Sequence, residues 1–463
     1  MTKSYALAMI AILAATATAQ PPIEPKDGKV TYTMTISPTA APKPASKYYL
    51  LPEYRDSIEG NRVQMFLRCF MEQDKFFGRE QSERREKLNL LPLSELPKGT
   101  NEEGGNLVSR DMYDAARMTR TDWQLGYFMR RDGIKTLLPD AQKFRSLAHV
   151  LKTRVRGEIA IKDFPSALRS LQTLFSLAQT MDAHPTFVGT LVGFAIEATA
   201  IDAIQEMIAQ PGCPNLYWSL SDLPSPLIDF RQARQGERLL VSEQFKSVMN
   251  ATEILTDKEM YKVIDDIGDL ARYAGGVLGK PSVRYAFWSV DTKRLEVARE
   301  RLIQYGIKPT LVKQMSGLQV VVTDDLYRSD EYRDEFLKWV NLPPHQALVG
   351  LVAENAELQK HKEDLVLAPI FIPAMVTVLQ SRTRIQQRVE YLRVIEAIRL
   401  YAFENGGKLP ATLDAIPLPI PLDPVTGKPF SYTVKADTAT LTGGNPSLGT
   451  PTTNRSYEIQ IRK

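Results

Sequence analysis

The chain has 463 residues, enough for two or three domains of ordinary size. Apolar residues make up 43% and charged residues 24%, a usage typical of globular proteins with a sizeable core. The 58 basic and 54 acidic side chains leave a net charge of +4, so the balance of charge gives no electrostatic case for nucleic acid or anionic lipid as the main partner.

The first residues have the pattern of a secretory signal peptide, residues 1–19. Lys3 supplies the positive start, residues 5–15 form an apolar run of 11, and Ala17-Thr18-Ala19 gives a small-residue cleavage pattern ahead of Gln20. A membrane-spanning helix needs about 20 apolar residues, so this run is too short to be an anchor. We therefore predict cleavage between Ala19 and Gln20, no transmembrane anchor afterwards, and a periplasmic or secreted protein.

Residues 20–47 are rich in proline, threonine, alanine and serine and lack helical periodicity, which predicts an extended linker. Within it, residues 30–36 (VTYTMTI) alternate in the manner of a strand. Two cysteines, Cys69 and Cys213, stand far apart in the chain. In an exported protein they form either a single disulfide or two small buried side chains, and the sequence leaves both alternatives open.

From about residue 48 the pattern becomes helical. Apolar residues recur at helical spacing after Gly60-Asn61, whereas residues 83–98 are charged and then rich in leucine and proline, which predicts a surface connection. Helices resume at residue 107 and run with breaks towards residue 275. We place the helical-hairpin domain at residues 48–385.

Residues 145–181 contain the clearest helical hairpin, with two apolar-striped helices around a turn at residues 162–165. Asp163-Phe164, Ala167-Leu168 and the apolar positions that follow resemble the second half of one tetratricopeptide repeat. An isolated repeat of this kind cannot bury its apolar face alone. The resemblance therefore implies an irregular array of stacked hairpins rather than a regular solenoid.

Two apolar segments raise the question of a membrane span. Residues 187–209 include the small pair Gly189 and Gly193, but Glu197 interrupts the apolar run well short of a span. Residues 365–379 number 15 and are broken by two prolines. We predict a central buried helix for the first and buried structure for the second.

After residue 379 a long helix is expected to run to about Glu404, ended by Gly406-Gly407. Arg393, Glu396 and Arg399 form a polar stripe on it, which we interpret as a solvated, ion-paired face. Two short strands are then predicted, at residues 430–434 and 457–461, with residues 438–441 between them. Residues 386–463 thus form a small α+β unit.

This ending resembles the globular part of type II secretion major pseudopilins. The matching residues are Tyr401, Gly407, Pro410, Asp423, Pro424, Gly427 and Tyr432. Pseudopilins carry this unit behind an N-terminal membrane helix, whereas here it follows a long helical region, so neither their assembly nor their calcium site transfers. As a whole the chain resembles uncharacterised exported bacterial proteins that share segments like residues 211–238 and 339–347, a resemblance that implies no activity.

Catalytic and metal signatures are missing from the sequence. The four histidines, His149, His184, His345 and His361, include no pair with the spacing of a helical zinc site, and we interpret each as a surface or capping residue. No nucleophile elbow or phosphate-binding loop occurs. The adjacent pairs Asp265-Asp266 and Asp324-Asp325 point in different directions on any element and are interpreted as charged surface. No cofactor and no metal are predicted.

One segment is a candidate binding loop. Residues 211–226 place Asn215, Tyr217, Trp218 and Asp222 among four prolines, and Asn215 is expected to cap the turn that follows. A stiff loop presenting two aromatic rings beside polar groups suits contact with a partner. The alternative is that the rings fill a gap between helical hairpins.

The sequence thus predicts a mainly α fold, an irregular array of helical hairpins with a small C-terminal α+β unit. The leading functional interpretation is an exported, non-catalytic interaction or scaffold protein with a protein or peptide partner in the envelope. One alternative is a hydrolase of envelope glycans or polymers that uses carboxylates gathered by folding, such as Glu197 and Asp202. Another is an accessory component of a secretion or surface-filament system.

Overall fold

The structure is a computed structural model that describes residues 29–71, 73, 75–273, 281–446 and 454–462. Helices hold 64% of the chain, which confirms the predicted mainly α fold with a small C-terminal α+β part. The described α-helices are α1 Arg62–Arg68, α2 Arg79–Leu90, α3 Tyr113–Arg117, α4 Gly126–Asp132, α5 Pro139–Ala160, α6 Phe164–Thr180, α7 Phe187–Ile208, α8 Tyr217–Ser221, α9 Arg231–Gln244, α10 Lys246–Met249, α11 Asp257–Tyr273, α12 Pro281–Trp288, α13 Thr292–Gln304, α14 Pro309–Gln314, α15 Gly317–Lys338, α16 Pro344–His361 and α17 Ala368–Glu404. The predicted signal peptide, with its cleavage point at Ala19 and Gln20, lies outside the described residues.

Six strands form two sheets in the described chain. They are β1 Lys29–Ile36, β2 Ile58–Asn61, β3 Met118–Arg120, β4 Ser431–Lys435, β5 Thr438–Thr442 and β6 Asn454–Ile461. The larger sheet has the order β1-β6-β5-β4, with β1 parallel to β6 and the other neighbours antiparallel. β2 and β3 form a separate parallel pair. Both strands predicted near the C-terminus are therefore present, and residues 438–442 between them form a third.

The described residues divide into two compact units. Residues 125–136 and 235–379 form one, the helical unit, and residues 29–124, 137–234 and 380–462 form the other, the sheet unit. This division does not follow the expected boundary at residue 386, nor does the expected linker at 20–47 stay apart from the fold. The reason is the pairing of β1 with β6 over their whole length, from Lys29 opposite Asn454 to Ile36 opposite Ile461.

The sheet unit is built around α5, α6 and α7. Three residues join α5 to α6, the helices pack together as the predicted hairpin, and Ala167 at their close approach is fully buried. Asp163 caps α6 by accepting a hydrogen bond from the Ser166 backbone N–H. Among the described helices, α7 is long and apolar enough to cross a membrane, but two thirds of its most apolar window is buried in the fold. It is the predicted central buried helix.

The polar stripe of α17 corrects one expectation. Glu396 and Arg399 are ion-paired as predicted, at 2.8 Å, but both are fully buried rather than solvated. Arg399 also donates to the carbonyl oxygens of Ser37 and Cys213 at 3.1 and 2.8 Å. Because these acceptors come from distant segments, the helix periodicity alone gave no sign of this burial.

The helical unit has its own apolar core, in which α15 is central. Residues that share this core include Phe245, Met260, Ile264, Ile267, Tyr285, Val322 and Leu326. Asp324 and Asp325 of α15 are 5% and 2% exposed, so the expectation of charged surface was wrong for this pair. Asp324 pairs with Arg301 at 2.7 Å, and Asp325 accepts the Tyr285 hydroxyl at 2.6 Å.

A third correction concerns residues 83–98, expected as a surface connection. Residues 83–90, which include most of the charged side chains of this segment, lie in α2. The helix is held by Arg85, a 2% exposed residue that donates to Glu103 at 2.8 Å and stacks over the Phe76 ring at 4.0 Å. A buried ion pair and a cation–π contact replace the apolar stripe that the sequence lacks.

Candidate functional site

The predicted binding loop is only partly accessible. Asn215 is 2% exposed, and its Nδ2 donates to the Glu396 carbonyl oxygen at 2.9 Å. Its Oδ1 accepts from the Tyr217 N–H at 3.1 Å, which holds the turn ahead of α8, whose N-cap position is Leu216. Tyr217 is buried, and its hydroxyl donates to the carbonyl oxygen of Pro419. Both residues thus hold the loop in the interior, where the ring of Tyr217 fills a gap.

Trp218 and Asp222 are the accessible residues of this loop. The Trp218 ring lies edge-on to Tyr217, with centroids 5.0 Å apart, and keeps 38% of its surface exposed. Asp222 is exposed. Arg393 donates to the Ser221 hydroxyl at 3.1 Å and steadies the end of α8. The surface that a partner can touch here is therefore one ring edge and one carboxylate.

The carboxylates considered for hydrolysis, Glu197 and Asp202, are both buried on α7. They are five residues apart, so they project about 140° from each other around the helix. Asp202 forms an ion pair with Arg388 of α17. Burial raises the pKa of Glu197 to about 8, although the nearby Arg388 acts to lower it. The fold thus places a neutral acid and an ion-paired acid inside the protein, both near Arg388.

The histidines and cysteines are mostly enclosed. His184, expected at the surface or as a cap, is 1% exposed, and burial lowers its pKa to about 4; its Nδ1 lies 3.1 Å from the Thr186 hydroxyl. Burial likewise lowers the pKa of His149 to about 4. Cys69 and Cys213 are free and buried, which raises the pKa of each thiol to about 12. No cluster of three potential metal ligands occurs in the part of the chain that the structure describes.

An exposed apolar surface lies on the helical unit, between α11 and α12. It forms an open groove of about 490 Å³ lined by Tyr261, Ser282, Val283, Ala286, Phe287 and Val290, here called the apolar face. Phe287 and Val290 are 71% and 75% exposed, and Tyr261 and Val283 about half exposed. Single exposed apolar side chains are common, and this neighbouring set makes the groove a candidate interaction surface.

The sequence around α12 explains why the apolar face points outwards. Tyr285 is fully buried, and its hydroxyl donates to Asp325, which also accepts the Val366 backbone N–H at 2.8 Å. Val283 and Phe287 are two residues away on either side, so they project to the opposite side of the helix. The helix is apolar on both sides, and anchoring one side leaves the other in solvent.

Comparisons with known proteins add no family to this description. No protein-family model matches the chain, and no solved structure matches it.

Proposed function

We propose that this protein is an exported, non-catalytic interaction protein whose apolar face binds an amphipathic helix of another envelope protein. The observation that carries the proposal is the outward position of Phe287 on α12, which the Tyr285–Asp325 hydrogen bond anchors, and of Val290 in the turn that follows this helix. Burying a Phe or Val side chain that was fully exposed contributes about 1.5–3 kcal/mol, so a partner that covers both gains a useful affinity. The export expectation from residues 1–19 supports an envelope partner.

The shape of the apolar face favours a helix as the occupant. Val283 and Phe287 lie four residues apart on one side of α12, about 6 Å along its axis, and Val290 follows in the turn after the helix. A helix with apolar anchors at a similar spacing packs along such a stripe. The lining is apolar apart from Ser282 and the Tyr261 hydroxyl, so a strongly charged ligand has no group to pair with.

Photocrosslinking in the native host tests the proposal. A photoreactive phenylalanine analogue at position 287 is expected to crosslink to one other protein. Peptide mapping of the crosslinked product is expected to place the attachment point in an amphipathic helix of that partner. The same analogue at Val349, which is 74% exposed on α16 of the same unit, is expected to yield none. No crosslink at Phe287, equal crosslinking at both positions, or crosslinks only to a second copy of this chain would each contradict the proposal.

The hydrolase alternative predicts a different result. It requires purified protein to degrade an envelope glycan or polymer, with loss of turnover in Glu197→Gln or Asp202→Asn variants that remain folded. Such turnover would replace the interaction proposal, because neither acid lies among the residues that line the apolar face.

A further inference from the structure

The strand β1 lies at an edge of the larger sheet. In the order β1-β6-β5-β4, β6 pairs with one side of β1, and no strand of the described chain pairs with its other side. β1 has eight residues, which corresponds to a length of about 26 Å. A strand in this position presents a row of unpaired N–H and C=O groups with which another strand can pair.

The pairing with β6 determines which backbone groups of β1 point away from the sheet. The Ile36 carbonyl oxygen accepts a hydrogen bond from the Arg462 N–H at 2.8 Å, so the backbone groups of Ile36 point towards β6. Successive residues of a strand direct these groups to alternate sides. The outward groups therefore belong to Thr31, Thr33 and Thr35, and no other described residue makes a hydrogen bond to them.

Of the two edges of the larger sheet, β1 is the one suited to pairing. Residues 30–36 (VTYTMTI) contain no charged residue and no proline. The opposite edge strand, β4, has five residues and ends in the exposed Lys435. Short length and lysine side chains are common means by which exposed edges stay unpaired, and β1 has neither within residues 30–36.

The sequence of β1 also matches itself when it is read in reverse. Threonine and apolar residues alternate symmetrically on both sides of Thr33, so two antiparallel copies centred there place like against like. The opposing pairs are Thr33 with Thr33, Thr31 with Thr35, Tyr32 with Met34, and Val30 with Ile36. Threonine pairs and aromatic or apolar pairs of this kind stabilise neighbouring strands.

The same register suits the outward backbone groups. Odd-numbered positions then face odd-numbered positions, and each hydrogen-bonded pair of this kind exchanges two N–H···O bonds. The side chains also match, because Val30, Met34 and Ile36 are buried on the core side of the sheet whereas Thr33 is exposed on the other side. Apolar side chains therefore continue across the pair on one side and threonines on the other.

From this geometry we propose that the protein pairs with a second copy of itself through antiparallel β1 strands, with a two-fold axis at Thr33. The two four-stranded sheets then form one continuous sheet. The interface uses the same strand of both copies and is therefore closed. It is independent of the apolar face, because no residue of β1 lines that groove.

Sedimentation velocity of residues 20–463 measures this association. One strand pair is small beside the roughly 1,200–2,000 Å² of stable interfaces, so the dimer is expected to form reversibly at about 1–200 µM. Thr33→Lys places two like charges directly opposite each other and is expected to raise the Kd about tenfold or more. The matched control is Thr433→Lys, since Thr433 is an exposed threonine in the middle of β4. Its Kd is expected to stay within about twofold of the unaltered protein.

Two further measurements test the position of the two-fold axis. An equimolar mixture of Thr33→Lys and Thr33→Glu is expected to recover the dimer, because opposite charges then face each other. Opposed Cα atoms in a hydrogen-bonded antiparallel pair are about 5.5 Å apart, a distance that a disulfide spans. Thr33→Cys is therefore expected to give a covalent dimer on oxidation and Thr433→Cys none, and the native Cys69 and Cys213 are buried and do not compete.

Three results would overturn the proposal. The first is a monomer at every concentration of the unaltered protein. The second is a dimer that Thr33→Lys and Thr433→Lys weaken equally, because the effect would then belong to general surface charge. The third is equal disulfide formation by Thr33→Cys and Thr433→Cys, or none by either.

Discussion

The buried pair Glu396–Arg399 gives the sharpest test of how the sheet unit is held together. Both side chains are fully buried, and Arg399 makes two hydrogen bonds to Glu396, at 2.8 and 3.0 Å. It also donates to the Ser37 carbonyl oxygen and the Thr39 hydroxyl, at 3.1 and 2.8 Å. One guanidinium therefore ties α17 to the segment after β1.

Replacing Glu396 with glutamine keeps the shape of the side chain but leaves the Arg399 charge in the interior without a counter-ion. Removal of one partner from a buried ion pair costs about 3–5 kcal/mol. Domains of ordinary stability unfold with about 5–15 kcal/mol, so Glu396→Gln is expected to remove a large part of the free energy of unfolding. The measurement is urea denaturation followed by circular dichroism.

The same helix provides a matched control, since Glu390 and Arg393 form an ion pair with the same three-residue spacing. Their side chains are 13% and 20% exposed and reach water. Burial is less complete than at Glu396 but still raises the pKa of Glu390, so Glu390→Gln is expected to cost about 1–2 kcal/mol, clearly less than Glu396→Gln. If Glu396→Gln costs no more than Glu390→Gln, the pair does not hold the unit together and the reasoning is refuted.

Three further predictions concern stability. Burial raises the pKa of Glu197 from an ordinary 4.5 to about 8, so the folded protein holds this proton more tightly than the unfolded chain does. The resulting stabilisation is present in full below about pH 4.5 and is lost as the pH rises to about 8. Glu197→Gln is expected to abolish a decline of at most about 5 kcal/mol over that interval, and an unchanged pH profile would contradict this. A Cβ at Gly157 would lie 2.3 Å from the Asn101 backbone nitrogen, so Gly157→Ala is expected to lower the free energy of unfolding by about 1–3 kcal/mol. Gly268 of α11 is the control, because a Cβ there would meet open space. Gly268→Ala is expected to raise the free energy of unfolding by up to about 1 kcal/mol. Tyr285→Phe leaves a buried carboxylate without one donor and is expected to cost about 1–3 kcal/mol by urea denaturation; no loss would contradict the role of the hydroxyl as the anchor of α12.

Local patterns in the sequence predicted the elements that carry their own apolar stripe. The α5–α6 hairpin, the buried helix α7 and the end of α17 near Glu404 are all present. The strand at residues 30–36 was also predicted, but its pairing with β6 joins positions more than 400 residues apart. No local pattern encodes such a pairing, which explains why the domain boundaries differ.

Charged residues account for the main errors. Asp325 and Arg399 were interpreted as surface because charged side chains are rarely buried. The structure buries both, since each finds partners on segments distant in the sequence: Tyr285 and Val366 for Asp325, and Ser37 for Arg399. The sequence pattern shows the charge but not the partner that stabilises it.

The candidate sites were the least predictable part. The loop with Asn215 and Tyr217 attracted attention because aromatic and polar residues stand together there, yet their hydrogen bonds are made within the protein. The apolar face was missed because α12 is apolar on both sides, and which side is anchored depends on Asp325.

The claim that the apolar face binds a partner is tested most directly by one pair of affinities. The crosslinked partner, once purified, is titrated against Val290→Ser and Val349→Ser, two valines of the helical unit with nearly equal exposure, 75% and 74%. We expect Val290→Ser to raise the Kd about tenfold and Val349→Ser to leave it within about twofold. Equal affinities of the two variants would contradict the proposed role of the apolar face.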